Sequence, residues 1–267
     1  MPRSASANID VDTGVQVGAA GPRSRYFYDH QFRKVPILAT ALVVDSTHDV
    51  ARQAQIESDI EANLDWVTGG TNTEVVATAV NGGVSLTTAG ASADSCWLQP
   101  NTSTSIASGL HDIEWDTDNS PAIEWTFTTG ANVSDATITA GFVLAQDEPY
   151  DVSGDADRIQ FEYVAGDGTN GNNVVLTYSV GGTDYEHPFS FELAVSTTYW
   201  CKIAVDSGRY ADCHFGMSND PGSAVHHRTK NALTADILDL KPSINLQTAT
   251  GAKSITAHSV ALGRNYT

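Results

Sequence analysis

Between Ala122 and Thr128 the chain alternates without interruption. Ile123, Trp125 and Phe127 fall on one side, and Glu124, Thr126 and Thr128 on the other. A period of two is the signature of a strand with one dry and one wet face, and a helix cannot present it. After the turn-like Gly130-Ala131-Asn132, Ile138 leads into the apolar run Ala140–Leu144, so Ala136–Ala145 is expected to form a second strand and close a hairpin. The same grammar recurs along the chain. Glu74–Val80 and Gly83–Thr88 flank Asn81-Gly82, a two-residue hairpin signal. Ser95–Leu98 is short and apolar; Asp157–Val164 alternates Ile159, Phe161 and Tyr163; Asn173–Val180 alternates Val174, Leu176 and Tyr178. Gly181-Gly182 turns into Asp184–Phe191, and Ser207-Gly208 joins Thr198–Asp206 to Tyr210–Met217. Leu238–Gln247 and Ser254–Gly263 supply the last two strands. Roughly ten or more strands at short spacing predict an all-β sandwich or jelly roll.

The first part of the chain reads differently. Residues 1–34 are expected to be an extended N-terminal arm: Met1–Gly21 is polar and rich in small residues, too poor in apolar surface to order itself. Arg23–Lys34 interleaves Tyr26, Phe27, Tyr28 and Phe32 with Arg23, Arg25, Arg33 and Lys34. Aromatics and arginines anchor protein interfaces, so these eight residues are the predicted partner-binding set. The same interleaving suits nucleic acid, but the acidic body behind it opposes that. Residues 35–66 are expected to lead into the sandwich by a strand, Val35–Val44, and one short helix within Asp45–Trp66, with Asp49 as a cap and Val50, Ile56, Ile60 and Leu64 at helical spacing. Residues 67–267 are expected to form one sandwich, because no Pro- or Ser-rich linker interrupts them.

Charge narrows the partners. The net charge is −18. Residues 1–34 hold five cationic residues against three carboxylates, a net of +2, which leaves −20 for the rest. From Gln53 to Asp157 there are seventeen carboxylates and no Lys or Arg. Such a field repels phosphate backbones and anionic lipid, so neither nucleic acid nor a membrane is an expected partner. Cys96, Cys201 and Cys213 lack metal-ligand spacing and read as buried thiols, with Cys201 and Cys213 on adjacent strands. Met1–Gly21 has no apolar core of a signal peptide, and the expected place of synthesis is a cytoplasm.

Four stretches carry a resemblance: Gly82–Pro100 (GGVSLTTAGASADSCWLQP), Ile123–Leu144 (IEWTFTTGANVSDATITAGFVL), Thr197–Phe215 (TTYWCKIAVDSGRYADCHF) and Ala235–Asn265. In their order the chain resembles bacteriophage structural proteins with a concanavalin-like jelly roll, and Thr197–Phe215 is similar to laminin-G-like and lectin-like sandwiches. The resemblance implies a non-enzymatic virion protein, first a capsid decoration (cement) protein held to the major capsid protein and to copies of itself by its arm. It also implies, as an alternative, a receptor- or carbohydrate-binding fibre protein with a glycan on its outer face.

The sequence contains weak candidates for chemistry. Glu114, Asp116 and Asp118 have the alternate spacing of concanavalin-like glycosidase carboxylates, but Asp118-Asn119-Ser120-Pro121 is a turn, and no catalytic residue is assigned. Asp147, Glu148, Asp151, Asp155 and Asp157, and separately Asp167–Asn173, offer oxygens that could suit calcium, yet turn chemistry explains both, and no metal or cofactor is assigned. His226 and His227 point oppositely on a strand, which disfavours zinc. Of the five tryptophans, Trp125 and Trp200 are assigned to the core, while Trp66, Trp97 and Trp115 are candidates for stacking on a sugar, the last two the least determined.

Overall fold

The computed structural model describes residues 25–32, 36–38, 63–71, 75–78, 82–100, 115–144, 158–180, 183–234 and 240–265. Its strands are β1 (Arg25–Gln31), β2 (Pro36–Leu38), β3 (Asn63–Thr71), β4 (Val75–Thr78), β5 (Val84–Thr87) and β6 (Asp94–Pro100). Next come β7 (Ala122–Thr129), β8 (Ala136–Leu144), β9 (Arg158–Val164), β10 (Asn173–Val180) and β11 (Thr183–Glu192). The last are β12 (Thr198–Val205), β13 (Ala211–Met217), β14 (Asp220–Arg228), β15 (Leu240–Thr248) and β16 (Ser254–Asn265). They form two sheets. The first runs β14-β13-β12-β7-β16-β5-β4, with β1 also on β16; the second runs β11-β10-β9-β8-β15-β6-β3-β2. This is the expected jelly-roll β-sandwich.

Alternation decides what lies between the sheets. On β7 and β12 every second residue is buried, so Ile123, Trp125 and Phe127 meet Tyr199, Cys201 and Ile203 in the interior. The second sheet answers with Ile138, Ala140 and Phe142 from β8, Ile159, Phe161 and Tyr163 from β9, and Val174, Leu176 and Tyr178 from β10. Phe161 and Phe215, from opposite sheets, are 5.3 Å apart at their centroids, so the layers interlock through aromatic rings. Cys201 and Cys213 are free and buried on neighbouring strands, and desolvation pushes both thiols far up.

Three expectations change. The segments Ala122–Thr129 and Ala136–Leu144 are not a hairpin: β7 pairs with β12 and β16, while β8 pairs with β9 and β15 in the other sheet. The turn between them is an arch that crosses the core. Asn132 Oδ1 accepts from the Ser134 N–H at 2.8 Å, and the Gly130 N–H donates to Ser254 O at 2.8 Å, which pins the arch to β16 instead of folding β8 back on β7. The pair β4–β5 is a hairpin, but its last register pair is Thr78↔Val84, wider than a two-residue turn, and Gly82 and Gly83 both have positive φ. Finally, Asn63–Trp66 belong to strand β3, so the expected helix cannot extend that far; the rest of that stretch lies outside the described residues.

The expected arm is also part of the sandwich from Arg25 onward. β1 pairs antiparallel with β16 from Arg25↔Asn265 to Gln31↔Ser259, and β5 takes over the same side of β16 from Ala257↔Val84. Phe32 links the two: its N–H donates to His258 O at 3.1 Å and its carbonyl accepts from the Gly83 N–H at 2.9 Å. Its ring is 1% exposed and packs 5.3 Å from Trp66 and 6.0 Å from Trp125. Phe32 therefore fills its own core and is not available to a partner. Of the other predicted anchors, Arg25, Tyr26, Phe27 and Tyr28 lie on the β1 backbone, whereas Arg23, Arg33 and Lys34 fall outside the described residues.

Candidate functional site

The outward face of the second sheet is unusual. Alternation puts Ser95, Trp97 and Gln99 on the side of β6 opposite the core residues Cys96 and Leu98. In the same way Thr139 and Val143 face outward from β8, Gln160 and Glu162 from β9, and Val175, Thr177 and Ser179 from β10. An outward face of a sandwich is normally wet. Here Ser95 and Gln160 are 0% exposed, Thr177 3%, Thr139 4%, Trp97 5% and Gln99 6%. Trp97, Val143 and Val175 are buried too, yet none belongs to the central core cluster.

Register orders these side chains into rows. One row crosses the sheet as Trp97, Asn245, Thr139, Glu162, Val175 and Pro188. The next runs Ser243, Gly141, Gln160, Thr177 and Glu186. Gly141 is required for the close approach of β8 to β9, because a Cβ there would lie 2.4 Å from the Ile159 carbonyl oxygen. With neighbouring strands ~4.8 Å apart, the span from β6 to β10 is about 19 Å.

Within that span several polar atoms have no hydrogen-bond partner among the described residues: Gln99 Oε1, both side-chain polar atoms of Gln160, and Thr177 Oγ1. A buried polar group left unpaired costs about 1–3 kcal/mol, and native proteins rarely tolerate several together. An amide and a hydroxyl both donate and accept, so unused bonding capacity lies at two places on this face: at Gln160 and Thr177, paired across β9 and β10, and at Gln99, on β6 with Trp97.

Arg158 and Asp184 pair at the end of the face, and Glu162 stands within it between Thr139 and Val175. Arg158 Nη2 donates to Asp184 Oδ2 at 3.2 Å, and the Ser179 hydroxyl bonds the same carboxylate. Burial pushes the Glu162 carboxyl above the usual carboxylate range; Arg158 opposes this, and Glu186 and Asp167 add to it.

The stretches singled out in the sequence are placed as follows. Asp116 caps a 3-10 turn, Thr117–Asn119, and Asp118 bonds Arg209 Nη1 at 3.1 Å, so the two carboxylates do not share a strand face; Glu114 lies outside the described residues. The Asp167–Asn173 oxygens are used by the turn itself. Asp167 accepts from the Thr169 N–H and from Asn170 Nδ2, and Asn172 Oδ1 accepts from the Gly166 N–H. Those bonds, the Thr169 N–H first, hold the Asp167 carboxyl below its ordinary value. Residues 147–157 lie outside the described residues. His226 and His227 do point oppositely: the His226 ring meets His214 at 4.4 Å, and the His227 ring stacks on His187 of the other sheet at 3.6 Å.

The tryptophans divide in a way the sequence reading missed. Trp66, Trp115 and Trp125 are in the central core, Trp97 is on the buried outward face, and Trp200, assigned to the core, faces outward on the first sheet. Gln99, Gln160 and Thr177 were not singled out. Their signal was the alternation itself, which fixes the face but says nothing of whether that face is wet.

No protein-family model and no curated protein matches the sequence. Solved structures do match in fold. A protein of unknown function from Shewanella oneidensis MR-1 aligns with a TM-score of 0.58 at 11% identity, over 92% of this chain and 88% of that one. Peanut lectin, solved with a nine-residue peptide, gives 0.54 at 9% identity, over 90% and 97%. Arcelin-5, a lectin-like defence protein from Phaseolus vulgaris, gives 0.53 at 10% identity, over 91% and 100%. The chain thus has the legume-lectin-like, concanavalin-type sandwich fold.

Proposed function

We propose that this chain is a non-enzymatic carbohydrate-binding protein whose site is the outward face of the second sheet. The observation that carries the reading is the set of buried, unpartnered polar atoms on one face, Gln160 and Thr177 on β9 and β10 and Gln99 on β6 with Trp97. A saccharide presents closely spaced hydroxyls that donate and accept, together with an apolar ring face. The amides and the threonine hydroxyl match the first, and the indole matches the second. Binding would recover part of the desolvation cost already borne by these groups, which is how a preorganised polar site gains affinity. The lectin-like fold supports the reading by analogy.

No described residue favours attachment to a capsid over this reading. Phe32, one of the eight residues expected to bind a partner, is in the core. Whether the module is carried on a virus particle, as the fibre alternative holds, is a separate question answered by locating the protein in purified particles.

A glycan array tests the proposal. The wild-type protein is expected to bind a subset of saccharides. Gln160→Leu, which keeps the volume and removes the amide, should weaken that binding by about tenfold or more, equivalent to about 1.4 kcal/mol. Silence across the array, or full binding by Gln160→Leu, would overturn the assignment.

A further inference from the structure

The outward face of the first sheet is open to water, and its centre is the half-buried Trp200. We propose that Trp200 anchors a second binding surface for neutral saccharide, on the side of the sandwich opposite the enclosed face. This surface does not depend on whether the enclosed face binds sugar.

The sheet is built to present this ring. Trp200 points outward between the inward Tyr199 and Cys201. Its register partners are small, Gly216 on β13 and Thr126 on β7. A Cβ at Gly216 would lie 3.3 Å from the indole Nε1 and 3.0 Å from the Ala224 Cα, so glycine keeps the space beside the ring clear. His214 continues the row, its ring 6.3 Å from Trp200 with planes 20° apart, and His226 follows at 4.4 Å. Toward one end of the strands the lining groups are hydroxyls: Thr128 Oγ1 is 2.7 Å from Thr198 Oγ1, with Thr126 beside Trp200 in register.

Charge selects the occupant. The chain as a whole carries −18, which repels anionic polymers. On this face most of the charge is paired, two cations against three carboxylates. Arg228 donates to Asp212 at 2.6 Å and also bonds Asp206, while Lys202 stands in register with Glu124. Burial, then His226 and Lys202, lower the pKa of His214, so its imidazole is neutral at pH 7. A surface whose charges are largely paired, on an acidic protein, with one half-buried indole and hydroxyls beside it, fits an uncharged ligand that has an apolar face and a hydroxylated edge. A neutral polysaccharide has both. With sites on opposite faces, one molecule can bridge two chains, and avidity on a dense glycan surface then exceeds either affinity alone.

Native affinity electrophoresis in gels containing dextran, mixed-linkage β-glucan or galactomannan tests this, with polygalacturonate as the anionic probe. The protein carries Gln160→Leu throughout, so that only the open face is read. At least one neutral polymer should retard it, Trp200→Ala should remove about tenfold or more of the affinity, and Trp200→Tyr should restore part of it. Thr126→Arg, which places a bulky cation beside the ring, should abolish retardation even if Trp200→Ala folds poorly. Four results would overturn the proposal: no retardation by any neutral polymer, retardation unchanged in Trp200→Ala and Thr126→Arg, retardation by polygalacturonate alone, or loss of a self-associated state in Trp200→Ala, which would make the face a contact between copies. The enclosed site is judged separately, by array binding of the Trp200→Ala protein with and without Gln160→Leu.

Discussion

The two outward faces of this sandwich are made by the same alternation and end in opposite states. On β7 the residues between the core side chains, Glu124, Thr126 and Thr128, are half-exposed, and Thr128 is bonded to Thr198 and to His258 Nε2, each at 2.7 Å. On β9 and β10 the equivalent positions, Gln160 and Thr177, are buried, and their side-chain polar atoms lack partners among the described residues. A polar residue opposite a core residue therefore reports a side of the sheet and not its solvation. The first face is stable as it stands. The second holds polar groups with no partner among the described residues, and that asymmetry is what points to function.

The largest expected effect comes from the core both faces share. Phe32→Ala should destabilise the protein by about 3–5 kcal/mol, the usual cost of removing a buried phenyl ring, as measured by urea denaturation. A loss below about 1 kcal/mol would mean that Arg25–Phe32 is a detachable arm after all.

The faces themselves should then respond differently. Gln99→Leu and Thr177→Val remove unpaired buried groups without changing volume much, and each should raise stability by about 1 kcal/mol. A comparable loss would show that these groups are satisfied by ordered water in the native protein. Thr126→Ala, on the wet face, should change stability by no more than about 0.5 kcal/mol.

A third comparison is the seam where the sheets meet at β11 and β14. His227 stacks on His187 there, with Phe189 edge-on to His187 at 5.0 Å. Burial first, then His187, Lys230 and His226, hold the His227 imidazole down to about 4. A histidine with a folded pKa below its unfolded value binds protons more readily when unfolded. Its contribution is therefore intact above the ordinary value of 6.5, falls as pH drops toward about 4, and levels off below that. His227→Gln should flatten this part of the melting-temperature profile. An unchanged slope would place the acid sensitivity elsewhere.

Much of the fold was legible because burial between two sheets enforces period two. Ile159, Phe161 and Tyr163, and likewise Val174, Leu176 and Tyr178, occupy the inner positions their spacing required. What failed was pairing. The expected β4–β5 hairpin is present, with a wider turn, whereas β7 and β8 go to different sheets: local turn residues do not encode which sheet receives the next strand. Trp200 was misplaced although Tyr199, Cys201, Ile203 and Val205 already claimed the inner face, so its hydrophobicity outweighed its phase. Phe32 was misread for the converse reason. Its basic and aromatic neighbours suggest an interface, while its burial depends on Trp66 and Trp125, far along the chain. The candidate site was invisible because Gln99, Gln160 and Thr177 look like ordinary wet-face residues until register brings them together.

The central claim is that the enclosed face exchanges stability for sugar. The most direct test is the melting temperature of the wild type and Gln160→Leu, each with and without a saccharide identified on the array. Without sugar Gln160→Leu should melt higher. With sugar the wild type should rise, because a ligand that binds only the native state stabilises it by mass action, and Gln160→Leu should rise less, by no more than the open face contributes. Equal upward shifts in both proteins, or a lower melting point for unliganded Gln160→Leu, would contradict the account.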